Sequence, residues 1–133
     1  MITYSNSKVI TAQQLAALFT NSGIHRPVGD LPRLEKMLKN ASIIWTAWND
    51  KHELVGIARA ITDFSYACYL SDLAVDKKYQ RQGIGKQLVE ELRNQIGPDV
   101  SLVLLAAESA MNYYPKIKFE HINNAFLKHR RAF

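Results

Sequence analysis

The sequence predicts an α/β (α+β) fold: one mixed, mostly antiparallel sheet with helices on both of its faces. Three observations predict it. The β-rich runs IIWTAW (43–48), ELVGIARAI (53–61) and YACYLSDLAV (66–75) follow one another across short turn signals, as antiparallel neighbours do. A helical stripe then separates the third run from a fourth, VSLVLLAA (100–107), so the fourth strand arrives by a crossover and runs parallel to the third. Two further helical patterns precede the first run and supply cover for the second face.

Each element has a local cause. Thr11 to Gln14 has the T-x-x-Q form of a capping box, and Leu15, Leu18 and Phe19 follow at helical spacing. Asn21-Ser22-Gly23 ends that helix. Asp30 caps a second helix, which tolerates Pro32 in its first turn and has Leu31, Leu34 and Leu38 as its apolar face. Asn49-Asp50 turns the first strand back into the second as a hairpin, and Asp63-Phe64-Ser65 turns the second into the third. Ile84, Leu88, Leu92 and Ile96 recur every four residues as the buried stripe of a third helix, which Gly97-Pro98 stops. VSLVLLAA is nearly all apolar, which suits a strand buried on both faces. A short helix around 108–115 and a last strand over 119–127 complete the order.

Composition narrows the function. A chain of 133 residues suits one domain, 1–133, and is long enough to bury a core without staples. Cys68 is the single cysteine, so no internal disulfide forms, which fits a reducing, cytoplasmic setting. The start, MITYSNSKVI, lacks the pattern of a signal peptide, and no apolar run approaches the ~18 residues of a membrane span. The net charge of +5 favours anionic partners: nucleic acid, phosphorylated metabolites or phosphate-bearing cofactors. The basic end KHRRAF reads as a solvated terminus rather than a nucleic-acid arm. His25, His52, His121 and His129 show no metal-ligand spacing, so no metal site is expected.

The most informative stretch is YQRQGIGKQL (79–88), a glycine turn between a strand and a helix. Gly83 and Gly85 allow dihedrals closed to other residues and let a ligand approach the main chain. The helix that begins there exposes unpaired N–H groups, and its dipole adds positive charge, so the unit is a candidate phosphate site. It is not a dinucleotide fingerprint, because Leu88 stands where the third glycine belongs. Nor is it a P-loop, because Gln80 and Gln87 occupy the outer positions.

The string Gln80-Arg81-Gln82-Gly83-Ile84-Gly85 resembles the Q/R-x-x-G-x-G/A motif of the GNAT superfamily of N-acyltransferases. LSDLAVDKKY (70–79) resembles that family's fourth strand and its exit, and Tyr114-Pro115-Lys116-Ile117-Lys118-Phe119 resembles its Y-E-K-L-G-F segment. The likeness spans residues 43–127. It implies acetyl-CoA as co-substrate, with the pyrophosphate wrapped by the backbone of Gln80, Arg81, Gln82, Gly83, Ile84, Gly85 and Lys86. Arg81, Lys86, Lys77 and Lys78 are candidates for added charge attraction. It further implies that main-chain groups of the strand at Leu73, Ala74 and Val75 pair with pantetheine as an added strand would, Leu73 and Val75 foremost. The strand carrying VSLVLLAA then splays from its neighbour around the acyl-CoA site.

The implied reaction moves the acetyl group to a primary amine of a small molecule. Acetylation of a protein or peptide amine, a noncatalytic acyl-CoA binding module and a basic RNA-associated domain remain alternatives. Tyr114 matches the family tyrosine that protonates the departing thiolate, with Tyr113 the alternative register. Asp72 interrupts an apolar strand beside the expected thioester and faces away from Leu73 and Val75, so it is the first candidate base. A structural aspartate is the equal alternative there, and Glu108 is the second candidate base. Arg59 and Asp63 line the acceptor pocket or, more simply, form a hairpin ion pair. Lys118, Pro115 and Ala107 depart from the family pattern of a glycine, an acid and an asparagine. The expected partner is a small-molecule amine, with neither membrane nor nucleic acid, and a homodimer is left open.

Overall fold

The computed structural model describes residues 1–133. Its regular elements are β1 (Thr3–Ser5), α1 (Ala12–Ser22), α2 (Leu31–Asn40), β2 (Ile43–Trp48), β3 (Leu54–Thr62), β4 (Ala67–Val75), α3 (Ile84–Ile96) and β5 (Ser101–Val103). The strands lie in the order β1-β2-β3-β4-β5, and only β4 and β5 are parallel. The mixed α/β class and the parallel fourth pairing are therefore as the sequence predicts.

The helix boundaries follow from the expected capping chemistry. The Thr11 hydroxyl accepts from the Gln14 N–H at 3.1 Å, and the Gln14 side chain accepts from the Thr11 N–H at 2.9 Å. Gly23, at φ 83°, closes α1 in the left-handed region that glycine enters without penalty. The Asp30 carboxylate accepts from the Arg33 N–H at the start of α2.

The core has two halves, one on each face of the sheet. On one face α3 lays Ile84, Leu88, Leu92 and Ile96 against Val55, Ala58, Ala60 and Leu70. On the other, Leu15, Leu18 and Phe19 of α1 and Leu34 of α2 cover Trp48, Ile57 and Ala74.

One irregularity shapes the middle of the sheet. The β3–β4 register passes from Arg59 opposite Asp72 to Ala60 opposite Leu70, so Ser71 is a bulge with no partner. Side chains alternate along a strand, and an extra residue exchanges the faces. Cys68 and Leu70 thus join the α3 core, as do Leu73 and Val75, whereas Ala74 joins the α1–α2 core. Pairing of β4 with β5 ends at Tyr69 opposite Val103, just before the bulge.

Four features differ from the sequence expectations. A short first strand, β1, pairs with β2. VSLVLLAA is paired only over Ser101–Val103 and is not buried on both faces: Val103 and Leu105 are exposed, and Val100, Leu102 and Leu104 turn toward α3. The expected helix at 108–115 is two 3₁₀ turns, Glu108–Ala110 and Tyr114–Ile117, because Pro115 lacks an N–H and disfavours a helical residue before it. Residues 119–127 form no strand; their large apolar side chains Ile122, Phe126 and Leu127 are exposed and supply no face to bury.

Leu88, fully buried at the centre of the α3 contact, sets the scale of this packing. Leu88→Ala is expected to lower the unfolding free energy by about 2–5 kcal/mol. Val9→Ala, at a side chain 94% exposed, is expected to leave the urea midpoint almost unchanged.

Candidate functional site

The chain leaves β4 through a 3₁₀ turn, Lys77–Tyr79, capped by the Asp76 carboxylate, and then enters the glycine turn. Asn49 anchors the 3₁₀ turn through a 2.9 Å bond to the Tyr79 hydroxyl. Arg81 (φ 64°) and Gly83 (φ 81°) both take left-handed backbone conformations, which makes a concave run of N–H groups. No side chain caps α3, and no protein acceptor meets the N–H groups of Ile84, Gly85 or Lys86. A Cβ placed on Gly83 would meet nothing within 4 Å, so the turn faces open space. The donors, the helix dipole and the vacant volume together fit an anion such as a diphosphate.

Gly85 is glycine for a different reason. A Cβ there would stand 2.7 Å from the Tyr113 hydroxyl, a distance no real Cβ shows. Around the turn, Arg81, Gln82, Lys78 and Lys86 are exposed, while the Lys77 side chain lies over Gly23. Gln80 reaches back along the strand, donating to the Val75 carbonyl at 2.9 Å.

Next to the turn runs the open edge of β4. The Asp76 N–H donates to the Val55 carbonyl of β3 at 2.9 Å, so by alternation Leu73 and Val75 turn their main-chain groups away from β3. On that side β5 has already departed. The gap is the start of a cleft of about 1070 Å³, which continues past Ala106, Ala107 and Tyr114 to the α1–α2 loop.

Asp72 lies in the floor of this cleft and is fully buried. Its Oδ1 accepts from Arg26 Nε at 2.6 Å and its Oδ2 from Arg59 Nε at 2.5 Å. Arg26 also donates to the carbonyls of His25 and Ser71, and Arg59 to the Ser71 hydroxyl. Both oxygens are thus committed, the geometry of a carboxylate that holds structure together. Arg59 is therefore no partner of Asp63, which instead accepts from the backbone N–H groups of Ser65, Tyr66 and Ala67. Glu108 opens an exposed 3₁₀ turn and does not line the cleft.

Tyr114 is half-buried and lines the cleft; its ring packs edge-on against Tyr113 and Phe119, with centroids 5.3 and 5.5 Å apart. Burial, and then the neighbouring Tyr113, push its phenol above the ordinary 10.0, against a smaller pull from Arg26. Tyr113 is absent from the cleft lining, and its hydroxyl points at Gly85. Of the two registers, Tyr114 is the one that faces the cleft.

Sequence reasoning missed two contributors. Arg26 lies 46 residues from Asp72 in a loop with no motif. The basic end, expected as a solvated terminus, comes back to the cleft: Leu127 to Phe133 line it, and Phe133 stacks on His25 with centroids 4.4 Å apart.

Comparison with known proteins adds the following. A family model of the acetyltransferase (GNAT) domain matches residues 40–121. Probable acetyltransferase TAP2 of Glycine max is 30% identical over 131 residues, which cover 90% of this chain and 52% of the relative. Histone acetyltransferase TAP1 of Glycine max is also 30% identical, over 90% of this chain and 56% of the relative. The chain thus spans about half the length of these curated relatives. Among solved structures, a Staphylococcus aureus protein described as a probable acetyltransferase superposes with a TM-score of 0.81 at 27% identity, covering 97% of this chain and 100% of its own. The GNAT N-acetyltransferase YhbS of Escherichia coli, solved in complex with CoA, has the same fold, with a TM-score of 0.71 at 20% identity over 90% of this chain and 68% of its own.

The doubly paired Asp72 leads to a stability prediction. Asp72→Asn leaves Arg59, only 7% exposed, without its countercharge. It is expected to lower the unfolding free energy by about 3–5 kcal/mol in a urea titration. An unmoved midpoint would show that the clamp has no structural weight.

Proposed function

The chain belongs to the GNAT acetyltransferase family, and on that premise we propose that it moves the acetyl group of acetyl-CoA to the primary amine of a small molecule. One observation carries the reading: the edge of β4 opened beside Ser71 leads directly to the uncapped N-terminus of α3. An extended, amide-bearing chain that ends in a diphosphate matches both halves of that surface.

In this reading the N–H groups of residues 80–86 hold the diphosphate, with Arg81 and Lys86 adding charge at the rim. The main-chain groups of Leu73 and Val75 hold the pantetheine amides as an added strand would, and Ala74 packs beneath them. The E. coli protein YhbS, solved with CoA, supports the choice of ligand. The thioester supplies an activated acetyl group.

The acceptor nitrogen bonds to the acetyl carbon as the C–S bond breaks. Tyr114 gives its phenolic proton to the leaving sulfur, and the nitrogen releases a proton to water in the cleft. Asp72 is not the base here, because its oxygens already serve Arg26 and Arg59. It is a positioning residue that fixes both guanidiniums in the floor of the cleft. A second reading, transfer to a protein amine, draws on the Glycine max relative named histone acetyltransferase.

Two measurements test the proposal. Gly83→Asp adds a carboxylate at the mouth of the turn, and it is expected to weaken CoA binding at least about tenfold, the scale of one like-charge contact. Calorimetric titration of the folded variant reads this directly, and unchanged affinity would remove the turn from the site. Tyr114→Phe keeps the ring but removes the donor. Turnover is expected to fall by about 10²–10⁴-fold with CoA affinity retained, whereas Tyr113→Phe should do much less. A general acid works only while protonated, and this phenol is raised above 10.0. The loss of rate from ionisation of Tyr114 is therefore expected at higher pH than for a free phenol, and Tyr114→Phe should remove that alkaline limb. Wild-type turnover in Tyr114→Phe would assign the proton to water.

A further inference from the structure

We propose that the acceptor amine carries an acidic group, a carboxylate or a phosphoryl, which is read by the basic wall of the cleft beyond Asp72. This rests on the acetyl-transfer reading and adds the chemistry of the acceptor to it.

Six cationic side chains line the cleft: Arg26, Arg33, Arg59, Lys128, Arg130 and Arg131. They come from four separate places, namely the α1–α2 loop, α2, β3 and the C-terminal segment. Asp72 is the only carboxylate side chain among the lining residues, and Arg26 and Arg59 already share it. The other four cations make no salt bridge, and no side-chain hydrogen bond engages the Arg33 guanidinium. Arg33 instead lies over the Phe133 ring at 5.4 Å, which leaves its N–H edge free. Phe133 in turn stacks on His25. That aromatic pin keeps the basic run 128–131 against the cleft.

Gathering like charges around one cavity raises its energy unless an anion joins them. The diphosphate site does not discharge this wall. Asp72 is three residues up β4 from Val75, about 10 Å at about 3.3 Å per residue, and the glycine turn lies beyond Val75 in the other direction. A separate anion is called for, on the acceptor's side.

The same wall also helps the chemistry. An ammonium close to these cations is disfavoured relative to the free amine, so the acceptor loses its proton more readily than in water. The cleft thus needs no carboxylate base, and its one carboxylate side chain, Asp72, is held by Arg26 and Arg59. The acidic group pairs with the wall and offsets the repulsion that the amine meets. A polyamine or a lysine-rich histone tail has no such group and is repelled.

Four acceptors built on the same three-carbon chain separate the cases: 4-aminobutanoate, 3-aminopropylphosphonate, propylamine and 1,3-diaminopropane, compared by thiol release from acetyl-CoA, with a lysine-rich histone-tail peptide as a fifth. The two acids are expected to show a KM about tenfold or more below that of propylamine, the scale of one charged hydrogen bond. The diamine and the peptide should be poorest, and 4-aminobutanoate against the phosphonate identifies the acid. Arg33→Glu is expected to raise the KM for the acids about tenfold and to favour the diamine, with CoA affinity unchanged. Equal KM values for acid and propylamine, or preference for the diamine or peptide, overturn the proposal. If no amine is turned over, calorimetry with the CoA-saturated protein reads the same ranking. Acid preference without turnover then sinks the acetyl-transfer reading alone, and no acid preference sinks the proposal.

Discussion

Where β4 reaches Ser71, one residue goes unpaired against β3 and the faces of the strand exchange. Several consequences follow from that single insertion. Leu70 stays with the α3 core, while Asp72, which regular alternation would place beside it, turns toward α1 and α2. Bulges also bend and twist a strand. Here β5 parts from β4 just before the bulge, and the edge at Leu73 and Val75 has no strand beside it, only the Gln80 side chain on the Val75 carbonyl. The cleft, its acidic floor and its strand-like wall therefore share one backbone cause.

The Asp72 cluster then fixes the far end. Taking a carboxylate and two guanidiniums out of water costs several kcal/mol per ion, and their attraction roughly repays this rather than adding net stability. What the cluster supplies is position. It ties the loop at Arg26, the hairpin strand at Arg59 and the Ser71 carbonyl and hydroxyl into one rigid corner. The glycine turn works the opposite way. Its N–H groups at Ile84, Gly85 and Lys86 are left without protein partners, so its free energy of interaction remains available to a ligand.

Legibility in the sequence tracked the range of the physics. The capping box at Thr11, the stop at Gly23 and the four-residue stripe of α3 are local, and each was readable. So were the hairpin strands and the glycine turn. Long-range features were not. The shortness of β5 depends on a bulge in another strand, and its apolar run looks no different for being unpaired. β1 owes its existence to the edge of β2, since three residues carry no period. Arg59 read most simply as a surface partner of Asp63 because the turn between them is obvious; its buried partner, 13 residues away, is visible only in three dimensions. The return of the C-terminal segment hangs on the Phe133–His25 stack, a contact with no sequence signature.

The absent Cβ of Gly85 has one more consequence. The Tyr113 hydroxyl occupies the space a methyl group would need, so the start of α3 and the turn that presents Tyr114 press directly on each other. Residues in contact do not vary independently. A side chain at position 85 would displace the Tyr113 hydroxyl, and with it the ring that packs edge-on against Tyr114. A change at position 85 is therefore felt on both sides of that contact, in the turn and beside Tyr114. The loops and the terminal segment that line the far side of the cleft lie outside this contact and can change without disturbing it.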